Sequence, residues 1–250
     1  MSRTSTYTGR FAPSPTGELH FGSLVAAVAS YLQAKTKGGE WLIRVEDIDP
    51  PREVAGSAAG IIADLERLGM RSDQPVLYQG SRTAAFENAR ERLLDSGQAF
   101  HCSCSRKSLP PTGPYPGSCR TGPAKPAGNL STRVLVHQRP IVFHDVIQGE
   151  IAENLAETCG DFVIWRADSM PAYQLAVVVD DACQGITEVV RGSDLLDSTA
   201  RQIHLQELLG VPTPDYVHLP VATRDGRKLG KRDGADPVSK HCPADAIRLT

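Results

Sequence analysis

The clearest chemistry in the sequence comes from three closely spaced cysteines, Cys102, Cys104 and Cys119. Deprotonated thiols are good zinc ligands, and zinc usually takes four ligands in a tetrahedral arrangement. The three cysteines therefore leave one position for another side chain. General coordination chemistry favours His101 for that position, because phenolate is an uncommon zinc ligand, and Tyr115 is the other candidate.

The segment 101–128 around these cysteines has little else to hold it in place. It contains six prolines and no apolar periodicity. A loop of this length in a compact domain usually has a structural or functional role. Three unrelated buried thiols are the alternative, but the proline-rich setting favours a metal. Four protein ligands leave no place for a substrate, so we predict one structural zinc ion. The remaining cysteines have no such partners and are interpreted as ordinary thiols: Cys159, Cys183 and Cys242.

A second candidate site lies where a predicted strand gives way to a helix, in RFAPSPTGELHFGSL, residues 10–24. Two prolines stiffen the turn, and Gly17 and Gly22 allow another group to approach the backbone closely. The free N–H groups and the positive end of the helix would attract an anion such as phosphate. His20 lies at the rim, where it could stabilise charge on a reacting phosphate. The alternative is a helix-capping turn with a buried histidine.

A group of carboxylates follows the next predicted strand, in RVEDIDPPR, residues 44–52. Open α/β sheets bind ligands beyond the carboxyl ends of their strands. Glu46 and Asp47 could therefore act as general acid and base or bind a metal there. We interpret Asp49 differently, as the N-cap of the following helix.

A basic stretch, RKLGKR at residues 227–232, lies on a polar loop late in the chain. Mobile cations such as Lys228 and Lys231 could close over a triphosphate and neutralise the charge that develops on leaving pyrophosphate. Basic runs are usually solvated surfaces. This stretch therefore carries weight only in combination with the turn around His20.

The elements that would position these groups alternate between strand and helix over the first hundred residues. Strands are predicted at 7–11 and 40–47, a helix at 22–37, and two further helices that each end at a glycine. This order is typical of a parallel, doubly wound α/β sheet. Short alternating runs within 131–168 indicate antiparallel strands of an inserted module, after which strand–helix order returns with a helix at 195–209.

Composition narrows the class of protein. The chain has 250 residues, 40% hydrophobic content and a net charge of −2. It can therefore bury a sizeable core, but it lacks the overall excess of basic residues that is typical of proteins that bind nucleic acid over much of their surface. Any contact with nucleic acid must be local. The N-terminus has no apolar core of signal-peptide length, and no stretch has the length and apolarity of a membrane span. We expect a cytoplasmic monomer whose cysteines stay reduced.

The motifs PSPTGELHFG and KLGKR together resemble the two signature motifs of class I aminoacyl-tRNA synthetases, in the form found in the glutamyl and glutaminyl branch. The resemblance covers nearly the whole chain. It implies a Rossmann-like catalytic domain that activates glutamate with ATP, with magnesium carried by the ATP phosphates. The sequence departs from the family at Gly230, where the family usually has a serine whose hydroxyl contacts the nucleotide.

The resemblance also assigns roles to single residues. Arg10 would hold the side-chain carboxylate of glutamate and Glu46 its amino group, and the charges match. The other amino-acid contacts that it implies are Ala12, Ser14, Tyr173 and Arg191. The ATP contacts are His20, Gly22 and Lys231, and the catalytic residues are His20, Lys228 and Lys231. Without the family, Tyr173 would be interpreted as a sheet tyrosine and Arg191 as a surface arginine.

The spacing C-x-C followed by Y-x-x-x-C resembles the zinc site of a shortened branch of this family, in which the tyrosine is a ligand. The ligands implied by that resemblance are Cys102, Cys104, Tyr115 and Cys119. It also implies that the glutamyl group passes to the cyclopentenediol of queuosine in the anticodon of tRNA(Asp). The residue types and their spacing do not by themselves indicate queuosine as the acceptor.

The same resemblance implies a division of the chain into four parts. These are the first half of the catalytic domain (1–100), the zinc-binding insertion (101–128), an acceptor-type α+β module (129–185) and the second half of the catalytic domain (186–250). Eighteen residues follow Arg232, so we expect no anticodon-binding domain.

Two other functions stay open at this stage. One is a catalytic fragment of a glutamyl-tRNA synthetase that charges the 3′ end of tRNA(Glu). The other is a zinc-stapled RNA-binding module that has lost catalysis. The second is disfavoured because such a module has no need of His20, Glu46, Lys228 and Lys231.

Overall fold

The computed structural model describes residues 6–125, 128–221, 223–224, 227–228 and 238. The strands are β1 Thr8–Phe11, β2 Glu40–Val45, β3 Leu77–Tyr78, β4 Ala99–Cys102, β5 Ser131–Val134, β6 Ile141–Asp145, β7 Gly149–Glu153, β8 Val163–Trp165, β9 Glu188–Gly192, β10 Asp215–Leu219, β11 Thr223–Arg224 and β12 Arg227–Lys228. The α-helices are α1 Phe21–Thr36, α2 Ser57–Arg67, α3 Thr83–Asp95, α4 Leu155–Thr158, α5 Tyr173–Cys183 and α6 Leu196–Leu209. None of these described helices is long and apolar enough to cross a membrane.

Two sets of parallel strands meet at the centre of the molecule. One set has the order β1-β2-β3, and in the other β9 and β10 pair in parallel along their whole length. The edges of the sets are joined where the Thr187 N–H donates to the Thr8 carbonyl at 2.9 Å. Strand order therefore reverses between β1 and β9, and such a switch point is where open α/β sheets bind ligands.

Helices cover both faces of the sheet. Along β2, Trp41 and Ile43 pack into one apolar cluster with residues of α1 and α2, while Leu42 packs into the other with residues of α3, α5 and α6. Successive side chains of a strand point to opposite faces, so β2 is buried on both sides. The prediction of a parallel α/β sheet is confirmed, and the helices predicted to end at a glycine do so at Gly69 and Gly97, both with positive φ.

The inserted region contributes to more than one sheet. Strands β4, β5 and β8 form an antiparallel sheet, and β6 and β7 form an antiparallel hairpin, as the alternating runs predicted. However, β6 also pairs in parallel with β10, where Tyr216 lies opposite Asp145. Strand pairing thus crosses the predicted boundary at 185/186, and β4 spans the one at 100/101.

Candidate active site and cysteine cluster

A cleft of about 440 Å³ opens at the carboxyl ends of β1, β2 and β9. Eight residues singled out from the sequence line it: Arg10, Ala12, Ser14, His20, Gly22, Glu46, Tyr173 and Arg191. They come from four separate stretches of the chain. The switch point between β1 and β9 brings them together.

At one end of the cleft, Arg10 is held by a carboxylate from α5. Its Nε and Nη2 donate to the two oxygens of Asp181 at 3.1 and 3.4 Å, and only 4% of the arginine is exposed. The Asp181 carboxylate also accepts from Arg44 Nη1 at 2.7 Å. Although burial raises its pKa, the two guanidinium groups outweigh that effect and lower the pKa of Asp181. This carboxylate stays ionised and fixes the direction of Arg10.

Glu46 lies beside this pair, just beyond the end of β2. Its carboxylate is buried and lies 3.8 Å from Arg44 Nη2, too far for a hydrogen bond. Burial raises the pKa of Glu46 to about 7, against the opposing effects of Arg44 and Arg10. A cationic ligand group such as an ammonium would therefore find a carboxylate whose negative charge the protein only partly compensates.

Tyr173 and Arg191 complete this end of the cleft. Tyr173 is the first residue of α5, not a sheet tyrosine, and burial followed by the nearby Glu46 raises the pKa of its hydroxyl. Arg191 is buried in β9, not a surface arginine, and its pKa is lowered chiefly by burial. Both interpretations made without the family are therefore wrong.

The other end of the cleft is the turn between β1 and α1. Gly17 has φ of 129°, a conformation that favours glycine, and it exchanges two hydrogen bonds with the Ser57 hydroxyl. His20 is the N-cap of α1, and its Nδ1 accepts from the Ser23 N–H at 3.3 Å. Its Nε2 lies 3.0 Å from Ser23 Oγ. His20 both caps the helix and lines the cleft.

The carboxylates after Glu46 point elsewhere. Asp47 accepts from the Gly80 N–H at 2.7 Å. Asp49 precedes a 3₁₀ turn but makes no capping hydrogen bond, because its carboxylate is paired with Arg52 and Arg166. The prediction that Asp49 caps a helix is therefore wrong: two guanidinium groups compete for its oxygens.

The basic stretch falls largely beyond what the structure describes. The backbone of Lys228 lies in β12, which forms a short antiparallel hairpin with β11. Lys231 and Gly230 lie outside the described residues, as does Cys242. Their predicted roles stay predictions.

The cysteine cluster lies away from the cleft, at the end of β4. The three sulfurs of Cys102, Cys104 and Cys119 lie within 4.8 Å of one another, with 3.6 Å between those of Cys104 and Cys119. The Tyr115 hydroxyl oxygen lies 3.5 Å from the sulfur of Cys102 and 3.8 Å from that of Cys104. His101 is exposed on the same strand as Cys102 and is not part of the cluster of sulfurs.

These separations can be compared with those of a tetrahedral zinc site. Zn–S bonds of about 2.3 Å and a Zn–O bond of about 2.0 Å require S–S distances of about 3.8 Å and S–O distances of about 3.5 Å. The S–S distance of 3.6 Å and the S–O distances of 3.5 and 3.8 Å fit that geometry. Burial raises the pKa of the Cys119 thiol, but hydrogen bonds with the Ser103 N–H and the Tyr115 hydroxyl outweigh burial and lower that pKa to about 6. Arg133 adds positive charge, because its Nε lies 3.3 Å from Cys102 Sγ and its guanidinium stacks 4.0 Å above the Tyr115 ring.

Comparison with known proteins agrees with these features. Residues 7–111 and 124–244 match the family described as "tRNA synthetases class I (E and Q), catalytic domain". A glutamyl-Q tRNA(Asp) synthetase of Pseudomonas paraeruginosa is 53% identical over 99% of this chain and 84% of its own. The chain belongs to the glutamyl-Q tRNA(Asp) synthetase family.

Other members and structures place this family in context. A glutamyl-Q tRNA(Asp) synthetase of Burkholderia cenocepacia is 51% identical over 97% of this chain and 86% of its own. Among solved structures, a glutamate tRNA ligase from Elizabethkingia meningosepticum in complex with its amino acid superposes with a TM-score of 0.83 at 29% identity. The match covers 92% of this chain but 53% of the ligase, so this member of the glutamyl-Q family spans about half of that larger enzyme.

Sequence reasoning missed several residues that shape this site. Asp181 orients Arg10, His218 and Asp145 lie behind Arg191, and Arg133 flanks the sulfurs. Each is distant in sequence from the group that it contacts. The one available signal was the pair of adjacent acids in the apolar run AVVVDDAC, because a buried helix carries charges only when they have partners.

Proposed function

We propose that this chain activates glutamate with ATP and passes the glutamyl group to queuosine in the anticodon of tRNA(Asp). The observation that carries the proposal is the buried set of charges at the switch point. Two guanidinium groups, Arg10 and Arg191, line the cleft together with one incompletely compensated carboxylate, Glu46. An amino acid with a second carboxylate presents the complementary charges.

Glutamate recognition divides among these groups. Arg10 holds the side-chain carboxylate, because a guanidinium fork matches a carboxylate in shape and charge. Glu46 accepts the ammonium group, and Tyr173 and Arg191, with Ala12 and Ser14 of the turn, make the remaining contacts. Glutamine has no negative charge to compensate the buried positive charge of Arg10. The site therefore favours glutamate over glutamine.

Adenylate formation takes place at the other end of the cleft. A glutamate carboxylate oxygen attacks the α-phosphorus of ATP, and the bond to pyrophosphate breaks. His20 and the N–H groups at the start of α1, near Gly22, stabilise charge on the α-phosphate, while Lys228 and Lys231 neutralise the pyrophosphate. Magnesium binds through the ATP phosphates.

The second step is acyl transfer to RNA. A hydroxyl of the queuosine cyclopentenediol attacks the activated carbonyl carbon, AMP leaves, and the hydroxyl proton is released. The relatives at 51–53% identity carry the name of this reaction. Residues 96–144 add support, because they contain six lysines or arginines and no acidic residue in a chain of net charge −2. Arg106, Lys107 and Lys125 are exposed, whereas Arg120 and Arg139 are paired with carboxylates. RNA backbones bind local excesses of positive charge of this kind.

One zinc ion, we infer, is bound by Cys102, Cys104, Tyr115 and Cys119. The S–S and S–O separations described above support this set. Zinc would supply the positive charge that lets several thiolates lie together in a segment with few apolar side chains. With four protein ligands its role is structural.

Two assays with the full chain test the activity. We expect ATP–pyrophosphate exchange that depends on glutamate and needs no tRNA, and glutamylated queuosine in nuclease digests of tRNA(Asp), identified by mass spectrometry. The matched control is tRNA(Asp) that carries guanosine in place of queuosine. Exchange with no label in RNA would contradict the transfer step, and no exchange at all would favour the RNA-binding module.

A second function is favoured by one observation, the superposition with a glutamate tRNA ligase. If the chain charges tRNA(Glu), labelled glutamate will appear on the terminal adenosine of that tRNA. Removing the 3′ terminal adenosine would abolish this label but leave glutamylation of queuosine intact. The location of the label therefore decides between the two acceptors.

The identity of the fourth zinc ligand has its own experiment. Tyr115→Phe removes only the hydroxyl oxygen, whereas His101→Ala removes the competing candidate. We expect the tyrosine change to weaken zinc binding at least tenfold and the histidine change to leave it unaltered, as measured by competition with a chromogenic chelator. The reverse result would assign the ligand to His101.

A further inference from the structure

Arg191 is held by the protein through most of its hydrogen-bonding capacity. Its Nε donates to His218 Nε2 at 3.0 Å, Nη1 donates to Gln202 at 2.8 Å, and Nη2 donates to the Thr199 hydroxyl at 2.8 Å and to the Leu195 carbonyl at 3.3 Å. A guanidinium has five N–H bonds. Described residues accept from four of them, which leaves one N–H on Nη1, and Arg191 lines the cleft.

The contact between His218 and Asp145 fixes which nitrogen of the His218 ring carries a proton. His218 Nδ1 lies 2.7 Å from Asp145 Oδ2, and both side chains are fully buried. Asp145 also accepts four hydrogen-bond contacts from the backbone N–H groups of Ile147, Gln148 and His218, so its carboxylate is ionised and acts as an acceptor. The His218 proton therefore resides on Nδ1, and Nε2 is a lone-pair acceptor.

Two donors converge on that lone pair. Arg191 Nε lies on one side, and the Thr199 hydroxyl lies 3.2 Å from the same nitrogen. A proton on Nε2 would point at a guanidinium N–H, so the neutral ring is the form that fits. Burial and Arg191 lower the pKa of His218, against the opposing effect of Asp145. Arg191 and His218 are also register partners on adjacent strands, which sets their separation through the backbone.

We propose that His218, fixed as the Nδ1–H tautomer by Asp145, is a positioning residue that aims Arg191 into the cleft and thereby sets the KM for glutamate. This inference rests on the proposed function, because it takes glutamate as the ligand of Arg191. His218 does not line the cleft, so it acts through the arginine. Asp145 belongs to β6 of the inserted region. Two hydrogen bonds, from His218 to Asp145 and from Arg191 to His218, therefore connect the insertion to the amino-acid site.

The two amide substitutions at His218 separate its two nitrogens. Asn places its amide near the Nδ1 position and can still donate to Asp145, but it offers Arg191 no acceptor. Gln reaches the Nε2 position with its carbonyl oxygen and keeps the acceptor, but it loses the donor to Asp145. Both remove the ring that stacks on Tyr216, with centroids 6.0 Å apart, and so have a matched packing cost.

The experiment is glutamate-dependent ATP–pyrophosphate exchange by the wild type, His218→Asn and His218→Gln, with thermal unfolding of all three. We expect His218→Asn to raise the KM for glutamate about tenfold or more, the scale of one hydrogen bond to a charged group, with kcat and the KM for ATP within about threefold of the wild type. His218→Gln should raise the KM for glutamate by less than about threefold. Equal KM values for the two variants, or a change confined to kcat, would overturn the positioning role.

A measurement on the wild type needs neither variant to fold. The ¹⁵N chemical shifts of the histidine side chains report the tautomer directly, and we expect the His218 Nε2 signal to be that of an unprotonated nitrogen at pH 7. A protonated Nε2 would overturn the inference. If the wild type shows the expected tautomer but no exchange with glutamate, the proposed function has failed and the pairing of His218 with Arg191 has not.

Discussion

The Arg10 end of the cleft and the cysteine cluster both gather polar atoms at short range, but they balance charge in different ways. Beside the cleft, Arg10 and Arg44 share Asp181, and all three side chains are buried. In the cluster, three sulfurs lie within 4.8 Å of one another and the Tyr115 oxygen lies 3.5 and 3.8 Å from two of them, with the buried Arg133 in contact with Cys102.

The difference fits the two roles that we propose for these regions. A substrate site has to be formed before the substrate arrives, because aligning charges during the reaction costs reorganisation energy. The fold therefore supplies Asp181 as a permanent counter-charge. A structural site can obtain its missing positive charge from a metal that never leaves. The two regions should accordingly respond in opposite ways to metal removal and to substitution of buried arginines.

The largest effect is expected from the cysteines. Cys102→Ser or Cys119→Ser should reduce zinc content from one ion per chain to none, because a site with two thiolates loses most of the binding free energy of about 10–16 kcal/mol typical of structural zinc. Atomic absorption measures the content, and limited proteolysis should show new cleavage within 101–128. Cys159→Ser is the control and should change neither. Zinc retained by both variants would contradict the ligand set.

Substitution of Arg10 should affect the cleft and spare the metal. Arg10→Ala leaves Asp181 with one of its two guanidinium partners and removes the clamp for the substrate carboxylate, so kcat/KM for glutamate in exchange should fall by about 10²–10³. Arg82→Ala is a matched control, since it breaks a similar pair with the adjacent Asp180 outside the cleft. Wild-type exchange that is equally good with glutamine would reject the assignment of Arg10.

The turn around His20 offers a test between its two roles. His20→Ala should slow adenylate formation by about 10²–10³, the scale for one charge-stabilising donor, and should also cost about 1 kcal/mol of stability as a lost cap. His20→Asn restores the cap to the Ser23 N–H without restoring the ring. Single-turnover adenylation should remain slow in His20→Asn while thermal stability recovers. Recovery of the rate as well would make His20 a cap alone.

A smaller effect is expected from pH. Glu46 has a pKa near 7 in the folded protein against an ordinary value of 4.5, so its protonated form favours folding at acid pH and that contribution is lost as pH rises through 7. Ammonium binding needs the ionised form, so kcat/KM for glutamate should fall about tenfold per pH unit below pH 7. Glu46→Gln should be weakly active with a flat profile between pH 6 and 8. A wild-type profile without this inflection would remove Glu46 from ammonium recognition.

The sequence predicted most of what is local. The strand that ends near Phe11, the helix that starts one residue before Gly22 and the helix that ends at Leu209 follow from apolar periodicity and turn residues, which act within a few positions. The residues that line the cleft were found because two motifs at opposite ends of the chain resemble a known family. The cysteine cluster was found from spacing and from the absence of apolar support around it.

What the sequence did not reveal depends on contacts across long separations. Asp181 meets Arg10 across 171 residues, and Asp145 meets His218 across 73. Such pairs are created by strand order and leave no periodic signal. The pairing of β6 with β10 was missed for the same reason, because alternation predicts a strand but not its neighbour. Asp49 shows the converse error, where a local rule was outweighed by Arg166, a partner 117 residues away.

The join between Thr8 and Thr187 has a consequence for how the chain is made. The first strand can pair with β2 early, but the join on its other edge forms only after 179 further residues have been synthesised, and β6 must wait for β10 as well. Non-local pairing of this kind slows folding and leaves sheet edges open in the meantime. We therefore expect the nascent chain to emerge from the ribosome with an unfinished sheet, to gain protease resistance in one late step, and to depend on chaperones during that interval.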